Sequence, residues 1–359
     1  MSAGRTVVLG RGFPLELRLL SALLQRKRLA RAVALGALLL HLGSLLHSLQ
    51  GKYWVYSRAS QLRNDVVIFI NTVSDLLLVS VNVLGLLPLL GSPFLLELLR
   101  FCTAPLEVLG PSRACSPWIN LLRFGPLLPI VTGGWLFSRN AGWASYQYFL
   151  GRQVWYYVMN LVVCAFICAA LQLKWQFTRI NDFLGRRGGA SAAQLQLVAA
   201  RFSGLCNLLD EFNRTFKALM VLVVMCVTGS VLHNCTSLIE YAAKPKGAAV
   251  KLATFLTQPL FALTTVGQAA VVAFVGEGLE EEGERTTRIC FTLLNQLDHA
   301  QGKSEPLVAR ELRFILEHSR ARKICLHAGG FFRLNWGILG SITSTVATYS
   351  IVIIQFLLK

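Results

Sequence analysis

The apolar segment at the end of the chain carries a narrow stripe of small and polar side chains. On an α-helix of about 100° per residue, the members of this stripe fall on one side. They are Gly337, Ser341, Ser344, Thr348 and Gln355. Such a stripe has two uses: it lets helices approach closely while Ser and Thr hydrogen-bond across the contact, or it faces water in a pore.

Gln355 bears on the choice between these two uses. Periodicity alone favours close packing of helices. An amide near the outer end of a span is costly in lipid, however, and suits a ring that replaces part of an ion's hydration shell. One such helix cannot enclose a pore, so the pore interpretation requires an oligomer.

Six other apolar segments accompany this one, and together they indicate the fold class. Hydrophobic residues make up 54% of the chain and charged residues 15%, and the mean hydropathy is +0.54. A soluble domain carries about 25% charged residues. The segments of about 20 residues that could cross a bilayer are 30–50, 66–90, 118–137, 154–173, 218–240, 254–276 and 332–358. Spans in lipid satisfy their own backbone hydrogen bonds, so we predict an all-α membrane protein with seven transmembrane helices.

The distribution of positive charge predicts the orientation of these helices. The net charge of +17 suggests nucleic-acid binding, but 25 of the 35 Lys and Arg residues fall in alternate segments between the predicted spans. These segments are 1–31, 97–117, 174–217 and 277–333. Positive charge collects on the cytoplasmic side of membrane proteins. We therefore expect a cytoplasmic N-terminus, an extracellular C-terminus and no nucleic-acid partner.

Two long polar segments are internal in this orientation, and both predict helices beyond the membrane. Residues 178–217 continue with helical periodicity, and residues 277–331 hold two helix-like stretches around a break at 302–306. We expect a compact cytosolic layer of helices. The predicted organisation is a cytosolic N-terminus (1–29), six spans (30–276) with the cytosolic extension 178–217, anchor helices (277–331) and a last span (332–359).

Enzyme chemistry has no signal in this sequence. The nine cysteines form no disulfide framework, because most fall in predicted cytosolic segments or inside spans, and the six histidines lack ligand spacing. We find no nucleotide loop, hydrolytic triad or metal cluster, and expect no enzyme activity, metal or cofactor. Asn234 opens a glycosylation sequon at the predicted outer end of the fifth span.

The end of the chain resembles the C-terminal signature of arthropod gustatory receptors. A Gly-Phe-Phe start at 330–332 leads into Thr348-Tyr349, five residues, then Gln355-Phe356. The resemblance implies a ligand-gated cation channel, similar in fold to insect odorant receptors, whose last span lines the pore of a homotetramer. Gln355 would lie near the ion filter beside Thr348 and Ser344, Phe356 would help form the gate, and Tyr349 would pack behind the helix.

The resemblance also implies a ligand pocket inside each subunit, among the outer halves of the middle spans. Polar and aromatic residues there could supply the few placed groups that a small-molecule site needs. The candidates are Asn71, Asp75, Trp135, Trp155, Tyr156, Gln258, Thr264 and Thr265. Any single aromatic residue could instead belong to an interfacial belt. Asp75 is an acid within a span, which usually faces the protein interior, and pairing with Arg123 is as open as ligand contact.

The function predicted from these observations is that of a tastant-gated, non-selective cation channel in the plasma membrane. Its partners would be a small-molecule tastant, cations, membrane lipids and further copies of the chain, possibly with other gustatory receptor subunits. Two alternatives stay open. A G-protein-coupled receptor has seven spans in the opposite orientation, and a secondary transporter has interrupted helices, at which Pro126 and Pro129 hint.

Overall fold

The helices of the computed structural model account for every predicted span. The structure describes residues 27–57, 62–91, 97–98, 101, 118–186, 191–243, 248–299 and 306–357. The elements are α1 (Lys27–Ser57), α2 (Leu62–Gly91), α3 (Trp118–Phe124), α4 (Leu127–Ala141), α5 (Trp143–Gly185), α6 (Ala192–Ala243), α7 (Ala248–His299), α8 (Pro306–Ala321), β1 (His327–Ala328), β2 (Phe332–Arg333) and α9 (Gly337–Leu357). The predicted all-α membrane class is confirmed.

Apolar length supports the same class. Four segments of the described residues are long and apolar enough to cross a membrane: Asn120–Arg139, Leu150–Gly185, Ala192–Ile239 and Phe255–Leu297. Two shorter apolar segments, Thr72–Leu86 and Gly337–Val352, lie in α2 and α9.

The third predicted span is two helices rather than one. A turn at Gly125–Pro126 separates α3 from α4. Proline has no amide hydrogen and its ring crowds the preceding turn, so a helix is interrupted there. The Gly125 amide still donates to the Leu121 carbonyl at 2.7 Å, and the Leu128 amide donates to the Gly125 carbonyl at 3.1 Å. Backbone hydrogen bonds therefore continue across the turn between α3 and α4.

Three helices are much longer than a bilayer is thick. Helix α5 has 43 residues and α6 and α7 have 52 each, or roughly 65 to 78 Å at 1.5 Å per residue, against a hydrocarbon core of about 30 Å. Their ends project together at one end of the bundle and pack with α8 and the β1–β2 hairpin. We call this assembly of residues 174–185, 192–217, 277–299 and 306–335 the end layer. Buried aromatic rings fill its core, including Phe177 against Phe202.

The start of the last span differs from the prediction. Residues 332–336 form a strand and a turn, and the helix begins at Gly337. The cause lies at Gly329 and Gly330, whose φ angles of 61° and 80° reverse the chain. Only glycine adopts such angles without strain. Phe332 and Arg333 then pair antiparallel with β1, so they belong to the end layer.

The hairpin is held between α6 and α7. On the α6 side, the Asn213 amide donates to the Cys325 carbonyl at 2.9 Å and accepts from the His327 backbone at 3.3 Å. On the α7 side, a Cβ added at Gly276 would lie 1.7 Å from the Leu334 carbonyl oxygen. A side chain at that position would push the hairpin away. This contact fixes where α9 starts.

Candidate functional site

Helix α9 presents two different faces in the single chain. Ile338 and Ile342 are buried, at 6% and 5% exposure, where α9 packs on α6 and α7. The polar stripe lies on the exposed side: Ser341, Ser344, Thr348 and Gln355 are all exposed. A stripe of hydroxyls is therefore directed away from the body of the subunit.

The hydroxyls of this stripe are satisfied within their own helix. Ser341 donates to the Gly337 carbonyl at 3.2 Å, and Thr348 donates to the Ser344 carbonyl at 2.9 Å. Such bonds leave the hydroxyl oxygen free to accept from water or a neighbouring chain. Tyr349 is 55% exposed in the single chain. The side chain of Phe356 lies outside the described part of the structure.

A second group of polar side chains joins α5 to α7 inside the bundle. The Tyr156 hydroxyl lies 2.9 Å from Thr264 Oγ1 and 2.7 Å from Thr265 Oγ1. Its ring packs edge-on against Phe261, with centroids 5.5 Å apart. We call these four residues the hydroxyl cluster. The sequence predicted three of them, and the structure brings those three together.

Proton counting shows that the hydroxyl cluster has spare capacity to accept. Both threonine hydroxyls also lie within bonding distance of the Phe261 carbonyl, at 2.9 and 2.7 Å. Each hydroxyl has one proton to donate. Three protons cannot supply four hydrogen bonds, so one contact lacks a proton. The hydroxyl oxygens that receive no proton inside the cluster can accept from a donor outside it.

Asp75 is fully buried, and its partner differs from the predicted candidate. Its carboxylate lies 3.7 Å from Arg152 Nε and accepts from the Ser48 hydroxyl at 3.4 Å. Arg123, the predicted partner, presents its backbone carbonyl to the Asn160 amide at 3.2 Å. The acid thus helps to join α1, α2 and α5, which fits the pairing alternative.

The remaining predicted ligand residues lie in different places. Trp155 is buried and its indole donates to the Ser44 hydroxyl at 2.7 Å. Gln258 is half-buried about one turn before Phe261. Trp135 is 58% exposed, with the Arg139 guanidinium 5.4 Å from its ring centroid, which fits the interfacial belt. The side chain of Asn71 lies outside the described residues.

Metal chemistry finds no support in the described part of the chain. Those residues contain no group of three or more His, Cys, Asp or Glu side chains that could hold an ion. Burial raises the pKa of the Cys325 thiol, and the nearby Glu280 carboxylate raises it further. This thiol stays protonated at neutral pH, whereas the thiolate is the metal-binding form.

Comparison with known proteins identifies the family of the chain. The family model described as "7tm Chemosensory receptor" matches residues 109–359. The chain belongs to this receptor family. The match confirms the chemosensory type that the C-terminal motif resembles, and it agrees with the expectation of no enzyme activity because this is a family of receptors. No curated protein sequence matches the chain.

Solved structures show the same fold. The insect olfactory receptor OR5 from Machilis hrabei superposes with a TM-score of 0.62 at 11% identity, covering 89% of this receptor and 88% of OR5. The structure of OR5 in complex with eugenol matches equally well. The arrangement of helices described above is therefore that of a chemosensory receptor.

Sequence reasoning missed several residues that the receptor fold brings to the site. Asn82 donates to the Trp155 carbonyl at 2.9 Å and lies 3.3 Å from His41 Nε2. Gln268 donates to the Asn160 side chain. One signal was available: Asn82 follows Asp75 by seven residues, which places both on one face of α2. His41 and Ser48 repeat that spacing on α1.

Proposed function

We propose that this receptor is a gustatory receptor that acts as a tastant-gated, non-selective cation channel in the plasma membrane. The observation that carries this proposal is the orientation of α9. Its isoleucine face is buried against the subunit, whereas Ser341, Ser344 and Thr348 are exposed. A polar stripe on an otherwise apolar helix needs water or another protein surface.

Several copies of α9 would meet this need by enclosing a pore. In a homotetramer, the stripes of four subunits face one another around a central axis, and hydroxyl oxygens line the path of the ion. Gln355 would then narrow the path near the ion filter. Phe356 would contribute to the gate, and Tyr349 would support the movement of the helix from behind.

The ligand site of this proposal lies around the hydroxyl cluster. Helix α4 approaches it closely, since a Cβ added at Gly133 would lie 3.5 Å from the Phe261 ring. Asp75 and Arg152 compensate each other's charge, so the site favours a neutral ligand. The unused acceptor capacity of the cluster favours a ligand that donates a hydrogen bond. Asn71, Trp135, Trp155 and Gln258 would be secondary contacts.

The proposed orientation of the receptor in the membrane follows from the distribution of positive charge along the chain. The end layer would lie in the cytosol, where the basic segments predict it, and would act as the anchor at residues 277–331. Residues 30–276 would sense the ligand, and α9 (Gly337–Leu357) would line the pore. Ligand binding can open the pore only if the open state binds the ligand more tightly than the closed state.

The testing experiment records currents from cells that express the full chain. The probes are small neutral alcohols and phenols, each compared with its methyl ether, which cannot donate. We expect currents with the donors, and a shift of reversal potential in Gln355→Ala but not in Val346→Ala, which shortens a side chain on the opposite face of α9. A tag after Lys359 should be labelled on intact cells.

Two other results of these experiments would indicate a different function. A hidden C-terminal tag together with an exposed N-terminal tag would reverse the orientation, as in a G-protein-coupled receptor. Saturating transport at rates far below channel flux would indicate a secondary transporter. The break between α3 and α4 favours the transporter as the second candidate, because such carriers use interrupted helices.

A further inference from the structure

Two buried amides lie between the hydroxyl cluster and the start of α9. Asn160 follows Tyr156 by one turn of α5, and Gln268 follows Thr264 by one turn of α7. Their exposures are 0% and 3%, and the Gln268 amide donates to the Asn160 side-chain oxygen. The α5–α7 contact of the hydroxyl cluster is thus repeated one turn further along the bundle.

Asn160 also reaches a third element. Its amide nitrogen donates to the Arg123 carbonyl at 3.2 Å, in the last turn of α3 before the Gly125–Pro126 break. The last carbonyls of a helix have no partner within that helix. Asn160 satisfies one of them, so a single side chain links α3 to α5 and, through Gln268, to α7.

Gln268 faces the start of α9 on its other side. Together with Leu334, Ile338 and Ile342 it lines a small apolar pocket of ≈ 20 Å³, about enough for one water molecule. Such a space leaves the neighbouring side chains without close partners on that side. The contact between α7 and the start of α9 therefore has room to rearrange.

One atom of Gln268 is unsatisfied in the present arrangement. Among the described residues, its Oε1 has no hydrogen-bond partner although it is buried. A buried amide oxygen without a partner is destabilising. A second arrangement of Gln268 that supplies a donor to this oxygen would regain part of that cost.

We propose that the Asn160–Gln268 pair is a positioning joint that transmits movement of the hydroxyl cluster to the start of α9. This inference rests on the proposed function for its meaning in gating. A ligand that inserts at Tyr156 and Thr264 separates α5 from α7 by a small distance. The amide pair one turn away opens, Gln268 turns, and the wall that supports Ile338 and Ile342 shifts.

Four variants of the full chain test the joint. Asn160→Leu and Gln268→Leu each remove one partner, and the double variant replaces both amides by apolar side chains. Gln172→Leu is the matched control, because Gln172 is equally buried and its Oε1 also lacks a partner among the described residues, but it does not line the space beside α9. Each protein is purified into lipid nanodiscs.

Two readouts separate positioning from stability. Thermal unfolding should show lower Tm in both single variants and partial recovery in the double variant, because the apolar pair leaves no side-chain amide unsatisfied. The recovery is partial because the Arg123 carbonyl still loses its bond from Asn160. Amide hydrogen exchange at residues 338–346 should rise about tenfold in all three, which corresponds to one lost hydrogen bond of about 1.4 kcal/mol. The Gln172→Leu control should leave this exchange unchanged. Exchange that recovers together with Tm in the double variant would overturn the joint.

Current measurements keep this inference distinct from the proposed function. Ligand-free currents of the purified chain in planar bilayers should rise about tenfold when the joint is removed, in parallel with exchange. If the unmodified chain and every variant pass no ions, the channel function is wrong. The exchange result still decides whether the joint positions α9.

Discussion

Helices α5 and α7 are joined by buried amides at two levels, and the two joints differ. In the end layer, the Asn181 amide donates to both the backbone and the side chain of Glu282, each at 2.8 Å, and its oxygen accepts from Thr286 at 2.7 Å. In the bundle, Asn160 and Gln268 form one bond with each other and leave Gln268 Oε1 without a partner among the described residues.

The difference indicates which part of the receptor is rigid. A fully satisfied polar network favours one rigid arrangement, whereas a partly satisfied network leaves a buried polar atom unpaired at a cost in free energy. The two asparagines are separated by roughly 31 Å along α5 at 1.5 Å per residue. One continuous helix therefore carries a fully bonded joint at Asn181 and a partly bonded joint at Asn160, which is the arrangement that the proposed movement of α9 against the end layer requires.

The largest expected effect is on stability, at the Asn181 joint of the end layer. Asn181→Leu removes the bonds of Asn181 to Glu282 and Thr286 and should lower the free energy of unfolding by about 3 kcal/mol. Thermal unfolding of the detergent-purified receptor measures the loss. Asn295→Leu, at an exposed position of α7, should stay within about 0.5 kcal/mol of the unmodified chain. A loss in Asn181→Leu no greater than that in Asn160→Leu would remove the contrast.

A smaller effect is expected where α7 meets the hairpin. Gly276→Ala places a methyl group against the Leu334 carbonyl and should cost about 2 kcal/mol through overpacking. Gly267→Ala on the same helix meets no atom within 4 Å and should gain up to about 1 kcal/mol in helix propensity. Equal Tm values for the two variants would show that the end layer accommodates an added methyl group as readily as the bundle does.

The smallest effect is expected at the rim of the end layer. Arg333 and Glu280 form an ion pair at 2.6 Å, but their side chains are 46% and 25% exposed. Solvent screening limits such a pair, so Arg333→Gln should cost about 0.5 kcal/mol, and the difference should fade at high salt. A loss in free energy of unfolding as large as that in Asn181→Leu would show that ion pairs, and not buried amides, stabilise the end layer.

Part of the candidate site was predictable because its signals are local. The stripe on α9 follows from helical periodicity, and the structure leaves Ser341, Ser344 and Thr348 exposed together. Tyr156, Thr264 and Thr265 were predicted as polar groups within apolar spans, and the structure joins them. Which partner each would find was not predictable, since Tyr156 and Thr265 are 109 residues apart.

The errors have the same origin. Pairing of Asp75 with Arg123 was one of two alternatives, and the sequence did not indicate that Arg152 of α5 lies 3.7 Å from the carboxylate. The last span was predicted from 332, but two glycines with positive φ turn residues 332–336 into the hairpin. Apolar content alone does not distinguish a buried strand from the start of a span.

By itself the sequence determined the membrane class, the approximate places of the apolar spans, and the motif that resembles the receptor family. These depend on the length and period of apolar residues, which act within one segment of chain. Only the tertiary structure decided which face of α9 is buried, which acid meets which base, and that Gln268 stands between the hydroxyl cluster and the start of α9. These depend on how helices far apart in sequence rotate against one another, and that rotation is set by all their contacts together.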